Sequence, residues 1–277
     1  MIYVRLHGRL GNQLFEYAAA RGLAALHNTQ VALDSRMLHA MGDKPAAQHF
    51  FWKTTEPDRL PPTKRTSPVR YALWRGLRLT PRLLREGPDS EDTFLKAPDG
   101  SYLHGYWQRP HYFAHIEREL REELRFATPA QGRNAEMADQ IAAQTSISVH
   151  VRRGDFEALG LVTPTEFYHR AIATLTDMLG SEAHIFFFSD SPDWVRANLA
   201  PHYASTVVDF NGPDADFEDL RLISLCQHNI ISLSSFSWWG GWLNSNPDKI
   251  VIGPGPAERP RERGWYPQGW RRVPVAA

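Results

Sequence analysis

Ile147-Ser148-Val149-His150-Val151-Arg152-Arg153-Gly154-Asp155 decides how the chain is read. Its first five residues have the β-branched character of a strand, and two arginines and a glycine follow without a break. The alternation continues downstream: helix 164–178, strand 184–188, helix 192–199, strand 206–208, helix 217–226, strand 229–231, helix 236–244 and strand 249–253. Near-continuous apolar strands separated by helices predict a parallel sheet covered on both faces. Upstream, Ile2-Tyr3-Val4-Arg5-Leu6 reads as a strand and residues 12–27 as a helix. Val31-Ala32-Leu33 reads as a second strand, with a tight Gly8–Gly11 turn completing a βαβ unit. Between these halves, residues 102–106 predict a strand, 110–124 a helix and 128–132 a linker, placing a lobe boundary near 126–145. Residues 42–100 carry a weaker pattern, with one short helix over 69–79. The expected fold class is therefore α/β, with lobes at 1–130 and 145–277.

The chain has 277 residues, 42% of them apolar, which is enough for two such lobes. Lys plus Arg equal Asp plus Glu at 31 each, so no global field draws in nucleic acid and ligand charge must be met locally. The single cysteine, Cys226, sits in an apolar helical stretch and reads as a buried thiol in a reducing compartment. Arg5, His7 and Arg9 interrupt the first ten residues, and no apolar run reaches the length of a membrane span. A cytoplasmic location is expected. The tract Lys64, Arg65, Arg70, Arg75, Arg78, Arg82 and Arg85, uninterrupted by any acid, is either a solvated face or a peripheral contact with an anionic membrane or acceptor.

In parallel sheets, ligands bind beyond the carboxyl ends of the strands. Arg152 and Arg153 leave a strand there, and guanidinium forks match phosphate oxygens; pairing with Asp155 is the alternative. Ser234-Ser235-Phe236-Ser237 precedes an aromatic-rich helix whose first amides can face an anion, or simply caps it. Asp190 closes another strand, either to accept hydrogen bonds from a base or ribose or to cap the helix opening at Pro192. Asp214-x-Asp216 has the form of a metal-holding DxD pair, but its place before a helix favours capping. His111 and His115 have metal-pair spacing without a third ligand. The chain contains no GxxxxGK[ST], GxGxxG or GxSxG motif.

Five segments then fall into one order: Gly8-Arg9-Leu10-Gly11-Asn12-Gln13-Leu14-Phe15-Glu16-Tyr17-Ala18, Gly105-Tyr106-Trp107-Gln108, His150 to Phe156, Asp219-Leu220 to Cys226, and Ser235-Phe236-Ser237-Trp238-Trp239. With them the chain resembles the bacterial α-1,2-fucosyltransferases of glycosyltransferase family 11, from near residue 1 to about residue 255. The resemblance implies a GT-B-like pair of Rossmann-like lobes, an acceptor-side lobe first and a GDP-fucose-binding lobe second. It implies an inverting mechanism, no metal and no other cofactor, GDP-fucose being a co-substrate. It places His150, Arg152, Arg153 and Asp155 on the donor motif, Asn12 with Gly11 at the glycine loop near the reacting centre, and Ser235, Phe236 and Ser237 on a second donor segment. Asp190 transfers through a shorter match. Arg152, Asn12, Asp155 and Glu157 are the candidate catalytic residues, the last two as carboxylates near the donor. The expected acceptor is the 2-hydroxyl of a terminal β-galactoside, on a glycan or lipid-linked precursor of a surface polysaccharide. Another GDP-sugar, another acceptor hydroxyl, or nucleotide-sugar binding without transfer are the alternatives.

Overall fold

The computed structural model describes residues 1–41, 44–55, 60, 68–76, 82–87, 90–255 and 264–275. The chain divides into two compact units, Met1–Ala127 and Thr128–Ala277, and each is built on a parallel sheet.

The first unit opens with the expected βαβ: β1 (Ile2–Arg5), α1 (Leu10–Leu26) and β2 (Val31–Asp34), with Ile2 to Arg5 in register against Val31 to Asp34. Ile2, Val4, Leu14, Phe15 and Ala18 are fully buried, as one face of a strand and one stripe of a helix should be. Next come α2 (Arg36–Met41), α3 (Pro68–Gly76), β3 (Arg82–Arg85), α4 (Ser90–Phe94) and β4 (Ser101–His104), and the sheet order is β2-β1-β4-β3. β3 was not expected. Only two leucines lie between its arginines, and three of its four residues are exposed, as on an edge strand. The basic tract is thus divided: Arg70 and Arg75 lie on α3 and Arg82 and Arg85 on β3, while Lys64, Arg65 and Arg78 lie outside the described residues.

The helix expected over 110–124 is instead two 3₁₀ turns, Pro110–Tyr112 and Ala114–Ile116, followed by α5 (Glu117–Glu123). Contact with α1 is the reason. A Cβ at Gly22 would meet the Tyr112 carbonyl oxygen at 2.1 Å, and the His115 Nε2 lies 3.0 Å from the Gly22 carbonyl oxygen. The segment is held against the helix by its own backbone and cannot coil regularly there. His111 and His115 therefore sit on separate turns rather than one helix face.

The second unit runs α6 (Arg133–Ala142), β5 (Ser146–Val151), α7 (Gly154–Ala158), α8 (Thr165–Leu179), β6 (His184–Ser189), α9 (Pro192–Asn198), β7 (Ser205–Val208), α10 (Asp216–Leu225), β8 (His228–Ile230), α11 (Ser235–Leu243), β9 (Val251–Gly255) and β10 (Arg271–Pro274). Its sheet order is β10-β9-β8-β5-β6-β7, parallel throughout. Alternate residues of β6 explain the continuous apolar run: Ile185 and Phe187 join the core under α8, while Phe186 and Phe188 join Met137 and Ile141 of α6 and Leu222 and Ile223 of α10. The sequence reading left α6 within the lobe boundary, although its methionine and isoleucine fill that second core. Cys226 is buried there, and burial pushes its thiol well up from the ordinary range. Among the described residues, no helix is long and apolar enough to cross a membrane.

Candidate functional site

β5 is buried along its whole length, so its chain emerges at Arg152 from the middle of the second sheet. Gly154 opens α7 directly against Asp190, at the end of β6: a Cβ at 154 would come within 2.5 Å of the Asp190 Oδ2. Glycine is what allows that approach. Both oxygens of Asp190 then hold the loop. Oδ2 pairs with the Arg152 Nη1 at 3.0 Å, and Oδ1 accepts the backbone N–H of Arg153 at 3.0 Å. Asp190 thus organises the arginines rather than capping α9, where Ser191 occupies the cap position.

Each guanidinium meets a second carboxylate from α7. The Arg152 Nη2 lies 2.5 Å from the Asp155 Oδ1, and the Arg153 Nη2 lies 2.6 Å from the Glu157 Oε1. The arginine side chains are 14% and 19% exposed, whereas Asp155 and Glu157 are 53% and 56% exposed. Aromatic faces support the arginines, with the Arg153 Cζ 3.9 Å from the Trp194 ring centroid and the Arg152 Cζ 5.5 Å from that of Phe156. The guanidiniums are fixed from below, while the carboxylates they hold face water.

His150 lies two residues before Arg152 and so on the same side of the strand. It is buried, its Nδ1 is 3.1 Å from the Ser232 Oγ, and its ring packs 5.3 Å from that of Phe236. Burial, and then the charge of Arg152, push its imidazole down to about 3, so it is neutral. Ser234 caps α11 by accepting the Phe236 N–H at 3.3 Å. Ser237 is fully buried, its hydroxyl within reach of the Ser234 and Ser232 carbonyls at 3.2 and 3.5 Å, so this serine shapes the loop. Ser235 begins α11 at the carboxyl edge of the sheet. Asp214 lies in a 3₁₀ turn and Asp216 in the first turn of α10, and no group of three metal-ligating side chains occurs among the described residues.

In the first unit, Gly8 turns the chain off β1 at φ +75°, a conformation that favours glycine, and a Cβ there would meet the Asn12 Nδ2 at 2.5 Å. Gly11 and Asn12 lie in the first turn of α1. The Asn12 Oδ1 accepts from the Gln108 Nε2 at 2.8 Å, joining two sequence motifs that are 96 residues apart. Gln108 is delivered by a buried Trp107 at φ +53°, a left-handed conformation costing about 1–3 kcal/mol in a bulky residue. Gln13 ties the same loop down through the Gly8 carbonyl at 3.0 Å and the Ala46 N–H at 2.7 Å.

Beside this loop stands a group that motif reading passed over. His7 follows β1, and its Nδ1 lies 2.5 Å from the Oε1 of a fully buried Glu16 on α1. The other Glu16 oxygen accepts the His7 backbone N–H at 3.0 Å. The signal was present as an acid among the buried positions of α1. Trp194 and Ser232 also went unnoticed, and Phe156 was read only as the end of a motif, since ring and hydroxyl contacts across loops leave no periodic trace.

The profile of glycosyl transferase family 11 matches residues 84–273. The sequence is 29% identical to an alpha-1,2-colitosyltransferase of Escherichia coli, with 99% of each chain aligned. It is 25% identical to galactoside alpha-(1,2)-fucosyltransferase 1 of Alouatta belzebul over 85% of this chain and 63% of that one. Among solved structures, fucosyltransferase NodZ from Bradyrhizobium aligns with a TM-score of 0.55 at 13% identity, covering 86% of this chain and 91% of that one. An Arabidopsis thaliana FUT1 variant in complex with GDP gives 0.55 at 13% identity, covering 93% and 70%. At that identity the structural likeness speaks for the fold, which is of the GT-B type.

Proposed function

The chain belongs to glycosyltransferase family 11, and on that premise we propose that it moves fucose from GDP-fucose to the 2-hydroxyl of a terminal β-galactoside with inversion. The observation that carries this reading is the arginine pair at the end of β5, held from behind by Asp190 and capped by two water-exposed carboxylates. An exposed ion pair contributes about 0–1 kcal/mol, so an incoming diphosphate can displace Asp155 and Glu157 while Asp190 keeps the forks aimed. As the fucosyl C–O bond breaks, the diphosphate gains charge, and a preorganised guanidinium stabilises it without first reorganising. No metal is needed for that step. Arg152 carries the larger share, because Asp190 holds its guanidinium directly. Neutral His150 and Phe236 form the wall beside it, and the first amides of α11 supply further donors.

A second donor has support of its own, since the likeness to the colitosyltransferase runs the full length of both chains. Colitose is fucose without its 3-hydroxyl, and the arginines read the diphosphate, which both donors share. The deciding experiment incubates purified protein with lactose and equimolar GDP-fucose and GDP-colitose, with and without EDTA, and determines product mass and linkage. A 2-fucosylated galactose formed in EDTA is the expected product. A colitosylated product changes the donor, and slow GDP release without product changes the acceptor. Binding without turnover leaves a nucleotide-sugar-binding protein.

A further inference from the structure

We infer that α3 and the edge strand β3 of the first unit dock on an anionic lipid bilayer, with Val69 and Leu73 set among the acyl chains and the arginines of both elements on the headgroups. The inference goes beyond the transferase reading and does not depend on it. The chain as a whole carries no net charge, yet from Lys64 through Arg85 it has seven cations and no acid. The arginine loop of the second unit uses none of them.

A helix that packs on its own protein buries one stripe of side chains. α6, with ten residues, does so through Met137 and Ile141. α3 does not: Pro68, Val69, Arg70, Ala72, Leu73 and Gly76 are all exposed. Val69 is 81% exposed, the highest value of any large apolar side chain among the described residues, and Leu73 is 60% exposed. The two are four residues apart and so share a face, with Arg70 turned about 100° to its side. A helix of nine residues is marginal in water, and a surface laid over Val69 and Leu73 is what stabilises it most.

β3 repeats the combination. It lies at the edge of its sheet, Leu83 is 48% exposed, and Arg85, two residues on and so on the same side of the strand, is exposed as well. The chain from Gly76 to Arg82 is short enough to hold the two elements within about 22 Å of each other. Other surface arginines are neutralised locally, Arg121 by Glu117 and Arg196 by Asp193 and Asp209. Among the described residues, Arg70, Arg82 and Arg85 have no such carboxylate, so their field reaches into solvent. Apolar side chains beside unpaired cations fit an anionic bilayer. A soluble polyanion satisfies the arginines but leaves Val69 and Leu73 in water, and a zwitterionic surface gives the arginines no net attraction.

The test is co-sedimentation of the purified full chain with vesicles of mixed phosphatidylglycerol and phosphatidylcholine, compared with pure phosphatidylcholine vesicles and with binding to soluble heparin. The mixed vesicles are expected to bind more tightly than either control, and less tightly at about 0.5 M salt, where screening shortens the reach of the arginines. An arginine near such a surface contributes about fivefold in affinity, so the triple variant Arg70→Gln, Arg82→Gln, Arg85→Gln should lose about 10²-fold. The double variant Val69→Ser, Leu73→Ser should lose at least about tenfold on the mixed vesicles. Its melting temperature should match the parent's, because both side chains are exposed. A parent that binds either control as tightly as the mixed vesicles overturns the inference, and so does a double variant that binds them as the parent does. Should the double variant fail to fold, the triple variant decides, and undiminished vesicle binding by it overturns the proposal.

Discussion

After β1 the chain turns through Gly8 into a helix of 17 residues, and after β5 it turns through Arg152 and Arg153 into one of five. The first loop keeps its acid inside: Glu16 is fully buried and His7 is its ionic partner. The second keeps its acids outside, with Asp155 and Glu157 more than half exposed over guanidiniums that are mostly covered. Two histidines respond accordingly, since Glu16 raises His7 whereas burial and Arg152 push His150 down to about 3. The difference separates two tasks. An exposed acid over a fixed arginine can yield to an anion, whereas a buried acid under a histidine sets where a proton rests.

The largest expected effect is on the second loop. Lysine at 152 keeps the charge but cannot hold both Asp155 and Asp190 in one fork, so Arg152→Lys should lose about 2.7–4 kcal/mol of barrier stabilisation, or about 10²–10³-fold in kcat. Steady-state kinetics with saturating donor checks it, and full activity would show that the fork is not used. Next come two glycines at which a Cβ would come within 2.5 Å of a neighbouring side chain, Gly154 against Asp190 and Gly8 against Asn12. Gly154→Ala pushes Asp190 off the arginines and should reduce turnover about 10–100-fold through misplacement, with a small change in melting temperature. Gly8→Ala adds the penalty of a left-handed residue, about 1–2 kcal/mol, because its φ is +75°. It should therefore lower the melting temperature more than Gly154→Ala does, and the reverse order would mean that the two turns do not differ in backbone strain.

A smaller effect comes from two deeper carboxylates. Glu123 in the first unit is buried but satisfied, with both oxygens on Arg21 at 2.8 Å and the Tyr17 hydroxyl at 2.5 Å. Asp219 on α10 has the Asn211 amide at 2.8 Å, and burial, with Asp216 and Glu218 nearby, pushes it up to about 7. The folded state therefore holds that proton more tightly than the unfolded state. Stability from this group is full below the ordinary carboxylate range and is lost as pH rises toward 7. Asp219→Asn should raise the melting temperature by a few degrees at pH 8 and leave it unchanged at pH 4. A gain at both pH values would point to packing rather than charge.

Legibility in the sequence followed the same division. Within the second sheet, β6 was readable because Phe186 to Phe188 feed cores on both faces and no polar residue interrupts them, whereas β10, with three of its four residues exposed, was not expected. The arginine loop was readable because its chemistry lies in consecutive residues. The segment from Pro110 to Glu123 has helical spacing, but Gly22 of α1 presses on it, and that contact is distant in sequence. β3 was hidden by its arginines, since an edge strand need not bury alternate side chains. The His7–Glu16 pair joins a strand end to a helix face nine residues on, and only the turn angle at Gly8 brings the two together.

The smallest expected effect is the one that most sharpens the contrast between the loops. Glu157 is 56% exposed and its ion pair with Arg153 is of the kind that contributes about 0–1 kcal/mol. Arg153 stays in place without it, held by the Trp194 face at 3.9 Å and by Asp190 on its backbone N–H at 3.0 Å. Glu157→Gln should therefore leave melting temperature and the pH profile of kcat/KM as in the parent. A rising limb that vanished in this variant would place the base on the arginine loop. An unchanged limb leaves α7 the single task of shielding the arginines until a diphosphate arrives.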